Sequence, residues 1–161
     1  MPHATLGPSG VTVLSDGEPY PGKPVKLAEL SRAVELFEGP VLLFAPKGLS
    51  GARLAEVLEA AGPHEFHLAL AMTSTLPGWS VYGMSPVTLA GDTMVKLKGT
   101  YTVGDNGDEV LKQIAPTTPS SPVGIVLQPS ATVQSLATVL GGLAYKDVNT
   151  AVVTVAKPAK P

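Results

Sequence analysis

The chain has no cysteine. That excludes disulfides, thiolate metal sites and thiol nucleophiles together. It leaves the compartment open, because cysteine-free domains occur in both the cytosol and the periplasm. Charge is also sparse: Asp, Glu, Lys and Arg make up 15% of the sequence, against about 25% in a typical soluble domain. Net charge is −2, and lysines and arginines are scattered. A nucleic-acid partner normally demands a basic stripe that displaces counterions from phosphates, so none is expected. No apolar run reaches the ~20 residues that span a bilayer. The opening Met1–Gly7 has neither the charged nor the apolar region of a signal peptide. The expectation is a cytosolic protein, or a soluble piece whose targeting segment lies outside this chain.

What the chain does have is 44% hydrophobic residues, with 17 glycines and 16 prolines that punctuate it. The 161 residues suit one ordinary domain or two small ones sharing a core. Val11–Leu14 reads as a first strand, and Glu18–Val25, broken by prolines, as an extended edge segment carrying Tyr20. Leu27, Leu30, Val34 and Phe37 form one apolar stripe, so a helix is expected over about Lys26–Glu38. Val41–Ala45 is a continuous apolar strand. Ser50 is positioned to cap a helix over Gly51–Ala61, which Gly62-Pro63 stops. Phe66–Met72 alternates as a strand does.

Thr73–Pro86 is irregular and reads as a joint, with a short strand near Ser80–Tyr82. Beyond it come strands at Val87–Ala90, Met94–Lys98 and Thr100–Val103, then a helix over Asp108–Ala115. A strand at Val123–Leu127 is followed by a helix over Val133–Ala144 capped by Thr132. A β-branched strand over Val148–Val155 precedes a polar tail, Lys157–Pro161, read as disordered.

The order repeats. Laid on Pro122–Thr154 with an offset of 82 and no gap, Pro40–Met72 is identical at seven of 33 positions. Four of these, Leu54/Leu136, Ala55/Ala137, Val57/Val139 and Leu58/Leu140, lie on the helix stripe, where packing dictates residue type. Ser50 meets Thr132 at the cap, Glu65 meets Asp147, and Phe66 meets Val148. The expected fold class is α+β: two similar βαβαβ-type units, each a small mixed sheet with two helices on one face. The units span residues 8–76 and 94–156, with 77–93 as the joint and 157–161 as the tail.

The extended segment with its glycine turn, Gly22–Val25 before a helix with leucine spacing, Pro40–Ala45 as a strand and Leu54–Gly62 as a helix ending on glycine together resemble the periplasmic domain of the ExbD/TolR family. The likeness covers residues 10–72 well and 94–155 more loosely. It implies a non-enzymatic periplasmic interaction domain of a proton-motive-force-driven energy-transduction complex. Its partners would be a proton-channel subunit and an energy-coupling protein, or peptidoglycan, and it would act as a homodimer tethered to the inner membrane by a helix not present here. The sequence departs from the pattern in three respects. Family members carry one such unit, not two. The membrane helix with its proton-carrying aspartate is missing from this chain, so no residue here inherits that role. The aspartate that follows the family's central strand is replaced: Pro46 follows Ala45, and Gln128 follows Leu127.

Sharper chemistry finds little purchase. His64 and His67 lack a third ligand at a usual zinc spacing. Asp105-Asn106-Gly107-Asp108 resembles a calcium loop but lacks the bidentate glutamate and reads as a helix-capping turn. Ser15, Ser50 and Ser80 have no nucleophile-elbow context. Gly48–Gly51 at a helix start suits an anion, without the Lys-Ser/Thr pair of a P-loop. No catalytic residue, metal ligand or cofactor is assigned. Trp79 and Tyr82 in the proline- and glycine-rich stretch, with Tyr20, are the candidate partner surface, since aromatics carry disproportionate binding energy. The other functional reading is a soluble, duplicated adaptor that clasps a ligand or protein between its halves.

Overall fold

The computed structural model describes residues 3–6, 10–14, 23–35, 37–46, 48–71, 81–89, 100–104, 107–114, 123–145 and 151–157. The strands are β1 (His3–Leu6), β2 (Val11–Leu14), β3 (Lys23–Val25), β4 (Val41–Ala45), β5 (Phe66–Ala71), β6 (Val81–Leu89), β7 (Thr100–Val103), β8 (Val123–Leu127) and β9 (Ala151–Val155). The helices are α1 (Leu30–Glu35), entered through a 3-10 turn at Leu27–Glu29, α2 (Gly51–Ala61), α3 (Gly107–Ile114) and α4 (Val133–Tyr145). All nine strands form one mixed sheet in the order β3-β2-β1-β4-β5-β6-β9-β8-β7. The expected pair of small sheets is therefore corrected to one continuous sheet. β6, within the span read as a joint, lies between β5 and β9.

Parallel pairs run β1–β4–β5 on one side and β6–β9–β8–β7 on the other. The two sets meet at the antiparallel β5–β6 pair, where Phe66 stands opposite Val87. A strand–helix–strand link joins parallel neighbours in each set: β4–α2–β5 and β8–α4–β9.

Strand alternation sorts side chains onto two faces. Leu43 and Leu68 are register partners, as are Ile125 and Val153, and all four are buried. They join Leu30, Val34, Leu54, Leu58, Val110, Leu136 and Val139 from the helices in one hydrophobic cluster. The helices thus cover a single face of the sheet. No Asp, Glu, Lys or Arg is buried among the described residues.

Helix α2 starts and stops where its sequence says. Ser50 is extended and its Oγ accepts a hydrogen bond from Arg53 N at 3.1 Å. Gly62 ends the helix with φ +77°, a region that penalises any Cβ. Helix α4 repeats the cap: Thr132 Oγ1 accepts from Ser135 N at a longer 3.4 Å. Ser50→Ala is expected to cost about 1 kcal/mol, and Thr132→Ala less, because its bond is the weaker. Thermal unfolding of the two variants side by side checks the order.

The register corrects one part of the repeat. Val41 pairs with Phe66, but the matching Val123 pairs with Ala151, not with Val148. The offset of 82 thus holds from strand to helix and lengthens by three residues before the last strand. Helix α4, at 13 residues against 11 for α2, takes up two of the three. Ala69/Ala151 and Phe66/Val148 are consequently not equivalent positions. Residues 146–150, and the Met94–Lys98 strand expected from sequence, lie outside the described residues. The first strand, β1, was not expected at all.

Candidate functional site

The starts of α2 and α4 are joined by backbone hydrogen bonds. Gly51 N donates to Ala131 O at 2.8 Å, and Val133 N donates to Leu49 O at 2.8 Å. Ser50 and Thr132 sit between these bonds as an isolated antiparallel bridge. Ala52 N adds a bond to Pro129 O at 3.1 Å. Leu49, Ala131 and Val133 are all buried, so these amides and carbonyls exchange water for one another. Gly51 makes the approach feasible: a Cβ there would overlap Gln128 O and lie 3.0 Å from Gln128 C.

Beside this contact is a recess of about 410 Å³ lined by Pro46, Gly48, Leu49, Ser50 and Arg53. Arg53 Nη1 is 3.0 Å from Glu56 Oε1 one turn on. The Gly48–Gly51 stretch that suited an anion is thus largely committed: the Ser50 hydroxyl caps the helix and the Gly51 amide reaches Ala131. A second recess, about 340 Å³, lies between the end of α2 and β6, against Leu58, Glu59, His64, Phe66, Val87 and Leu89.

The two histidines have separate surroundings. His64 Nε2–H donates to the Gly39 carbonyl at 3.1 Å, and its ring tilts on Phe66 with centroids 5.4 Å apart. His67 lies on the strand, on the face away from the helices, and its Nε2–H donates to Glu65 Oε1 at 3.1 Å. Among the described residues no group of three or more His, Cys, Asp or Glu side chains could hold a metal ion.

Tyr82 falls within β6, at the middle of the sheet order. Tyr20 and Trp79, the other two aromatics of the candidate partner surface, lie outside the described residues, as do Ser15, Ser80 and Asp105-Asn106. The cap-to-cap contact was not foreseen. The one trace of it in the sequence is a glycine, Gly51, at the position that aligns with Val133 at the offset of 82. No family model, curated protein or solved structure matches the chain.

Proposed function

We propose that this chain is an internally duplicated, non-enzymatic interaction domain of a proton-motive-force-driven energy-transduction complex of the ExbD/TolR kind. It acts in the periplasm, tethered through a segment that lies outside this chain. It contacts a proton-channel subunit and an energy-coupling protein, or peptidoglycan.

One observation carries the duplication on which the reading stands. The bonds Gly51 N–Ala131 O and Val133 N–Leu49 O convert into each other when every residue is shifted by the 82 positions that align the halves. Any antiparallel bridge exchanges such a pair; what supports a duplication is that this one centres on Ser50 and Thr132, the two aligned cap residues. The order of strand, capped helix and strand is also the order of Pro40–Ala45 and Leu54–Gly62 that resembles the ExbD/TolR pattern. Tyr20, Trp79 and Tyr82 are the proposed contact residues, on the ground that aromatic anchors dominate interface energetics.

The test uses the complete gene product. Retention on isolated peptidoglycan, or co-purification from membranes with a proton-channel subunit, supports the reading. Recovery in neither fraction overturns it. Within a positive result, Trp79→Ala and Tyr82→Ala are each expected to weaken retention by about tenfold. A thermal shift with a small molecule and no retention would favour the adaptor reading instead.

A further inference from the structure

The recess between the end of α2 and β6 has a floor and a rim of different chemistry. Its volume is about 340 Å³, at the small end of the range for ligand sites. Leu58, Phe66 and Val87, all buried, form the apolar floor. Glu59, His64 and Thr88 supply the polar rim; Glu59 and Thr88 are exposed and His64 is half-buried.

The rim is rich in acceptors and poor in donors. His64 spends its backbone N–H on Gly62 O at 2.8 Å and its Nε2–H on Gly39 O at 3.1 Å. What a neutral ring then has left for a ligand is the acceptor at Nδ1. Pro63, also in the lining, has no N–H to give. The Glu59 carboxylate can only accept, and among the described residues it has no hydrogen-bond or ion-pair partner. Helix α2 ends at this recess, so the partial negative charge of its last carbonyls falls beside Glu59. The Thr88 hydroxyl can donate. None of the described lining residues is Lys or Arg.

We propose that this recess binds a small organic ammonium ion, with an apolar body of one ring against Leu58, Phe66 and Val87 and its charged end at Glu59 and the close of α2. The rim selects that occupant. An anion would face a carboxylate and a helix C-terminus, with the N–H groups of His64 already engaged. A neutral alcohol would satisfy one acceptor and gain nothing from the sign of the site. An inorganic cation would need several oxygen ligands and would leave the apolar floor wet. An ammonium on an apolar body matches the charge, the acceptors and the floor together. The proposal does not depend on the energy-transduction reading, since it requires neither a protein partner nor peptidoglycan.

Titration of the full chain with phenethylammonium, followed by backbone amide NMR shifts, tests it. Saturable shifts are expected over Leu58–Phe66 and Val87–Leu89. Phenylethanol and phenylpropionate carry the same ring with a neutral or an anionic end, and should bind more weakly by about fivefold or more. Glu59→Gln should weaken phenethylammonium by about three- to fivefold, the loss of one exposed charge pair. Glu59→Lys should reverse the preference in favour of phenylpropionate. Glu109→Gln, exposed on α3 and outside the lining, should change nothing. Both glutamates are exposed, so the variants keep their fold, which far-ultraviolet circular dichroism checks. Absence of saturable shifts, equal affinity for the three probes, or binding that Glu59→Gln leaves intact each overturns the proposal.

Discussion

Gly51→Ala is expected to destabilise the protein by about 3 kcal/mol, and Gly48→Ala, three residues away, to be neutral or slightly stabilising. The two glycines have similar sequence surroundings and opposite spatial ones. A Cβ on Gly48 meets nothing within 4 Å. A Cβ on Gly51 overlaps Gln128 O and sits 3.3 Å from Pro129 Cα. Those neighbours are backbone and cannot rotate away as a side chain would. Relief requires the two caps to separate, which strains or breaks the 2.8 Å bond from Gly51 N to Ala131 O. Overpacking of this sort costs about 1–3 kcal/mol, and a buried amide left without its partner about 1–3 more. The better helix propensity of alanine offsets at most about 1 kcal/mol. At about 2–4 °C per kcal/mol for a chain of this size, the melting temperature should fall by roughly 10 °C. Equal melting temperatures for the two variants would mean that the caps are not in contact.

Leu54→Ala and Leu136→Ala are expected to cost about 2–5 kcal/mol each. Both leucines are 0% exposed and occupy the same place on α2 and α4. Either loss is a sizeable part of the ~5–15 kcal/mol by which a domain is stable. The shape of the transition matters as much as its midpoint. One hydrophobic cluster includes buried residues from both halves, so each variant should shift a single calorimetric transition. Two transitions, only one of them moved by each substitution, would show that the halves unfold separately despite sharing a sheet.

The parts legible in the sequence are those where local signals agree with burial. Strand β4 and helix α2 were expected at Val41–Ala45 and Gly51–Ala61 and lie there. The apolar run, the serine cap and the Gly-Pro stop all point the same way. Helix α1 is shorter than its stripe suggested and begins as a 3-10 turn. β1 was missed because it has only four residues, and two buried positions, Ala4 and Leu6, are too few to establish a period. β6 unites two pieces that the sequence separates, a short strand near Ser80–Tyr82 and a strand from Val87, because Gly83 and Pro86 between them argue against one central strand. The structure accommodates Pro86 in a specific way. The ladder to β9 begins at Val87, one residue later, so β9 does not require the N–H that proline lacks.

The site was less legible for a different reason. Side-chain chemistry leaves a mark on sequence, whereas the cap-to-cap contact is made of backbone amides and carbonyls that every residue has. Only the need for a missing Cβ at Gly51 distinguishes it. The shift in register at β9 was hidden too, because a coincidental alanine, Ala69/Ala151, extended the ungapped match past the point where it ceases to hold.

The position of β9 has a consequence for how the chain is made. It is the last of the described strands along the chain, yet it lies between β6 and β8. As the polypeptide emerges into the compartment where it folds, β1 to β6 can assemble in order, each beside a strand already present. β7 and β8 can pair with each other but have nothing to join until Ala151–Val155 emerges. For that interval β6 has an open edge at what will be the interior of the sheet, and an open edge is a template for foreign strands. The exposure of the emerging protein to misassembly is therefore set by the interval between the appearance of residue 90 and that of residue 155. A chain truncated after α4 would retain that edge permanently.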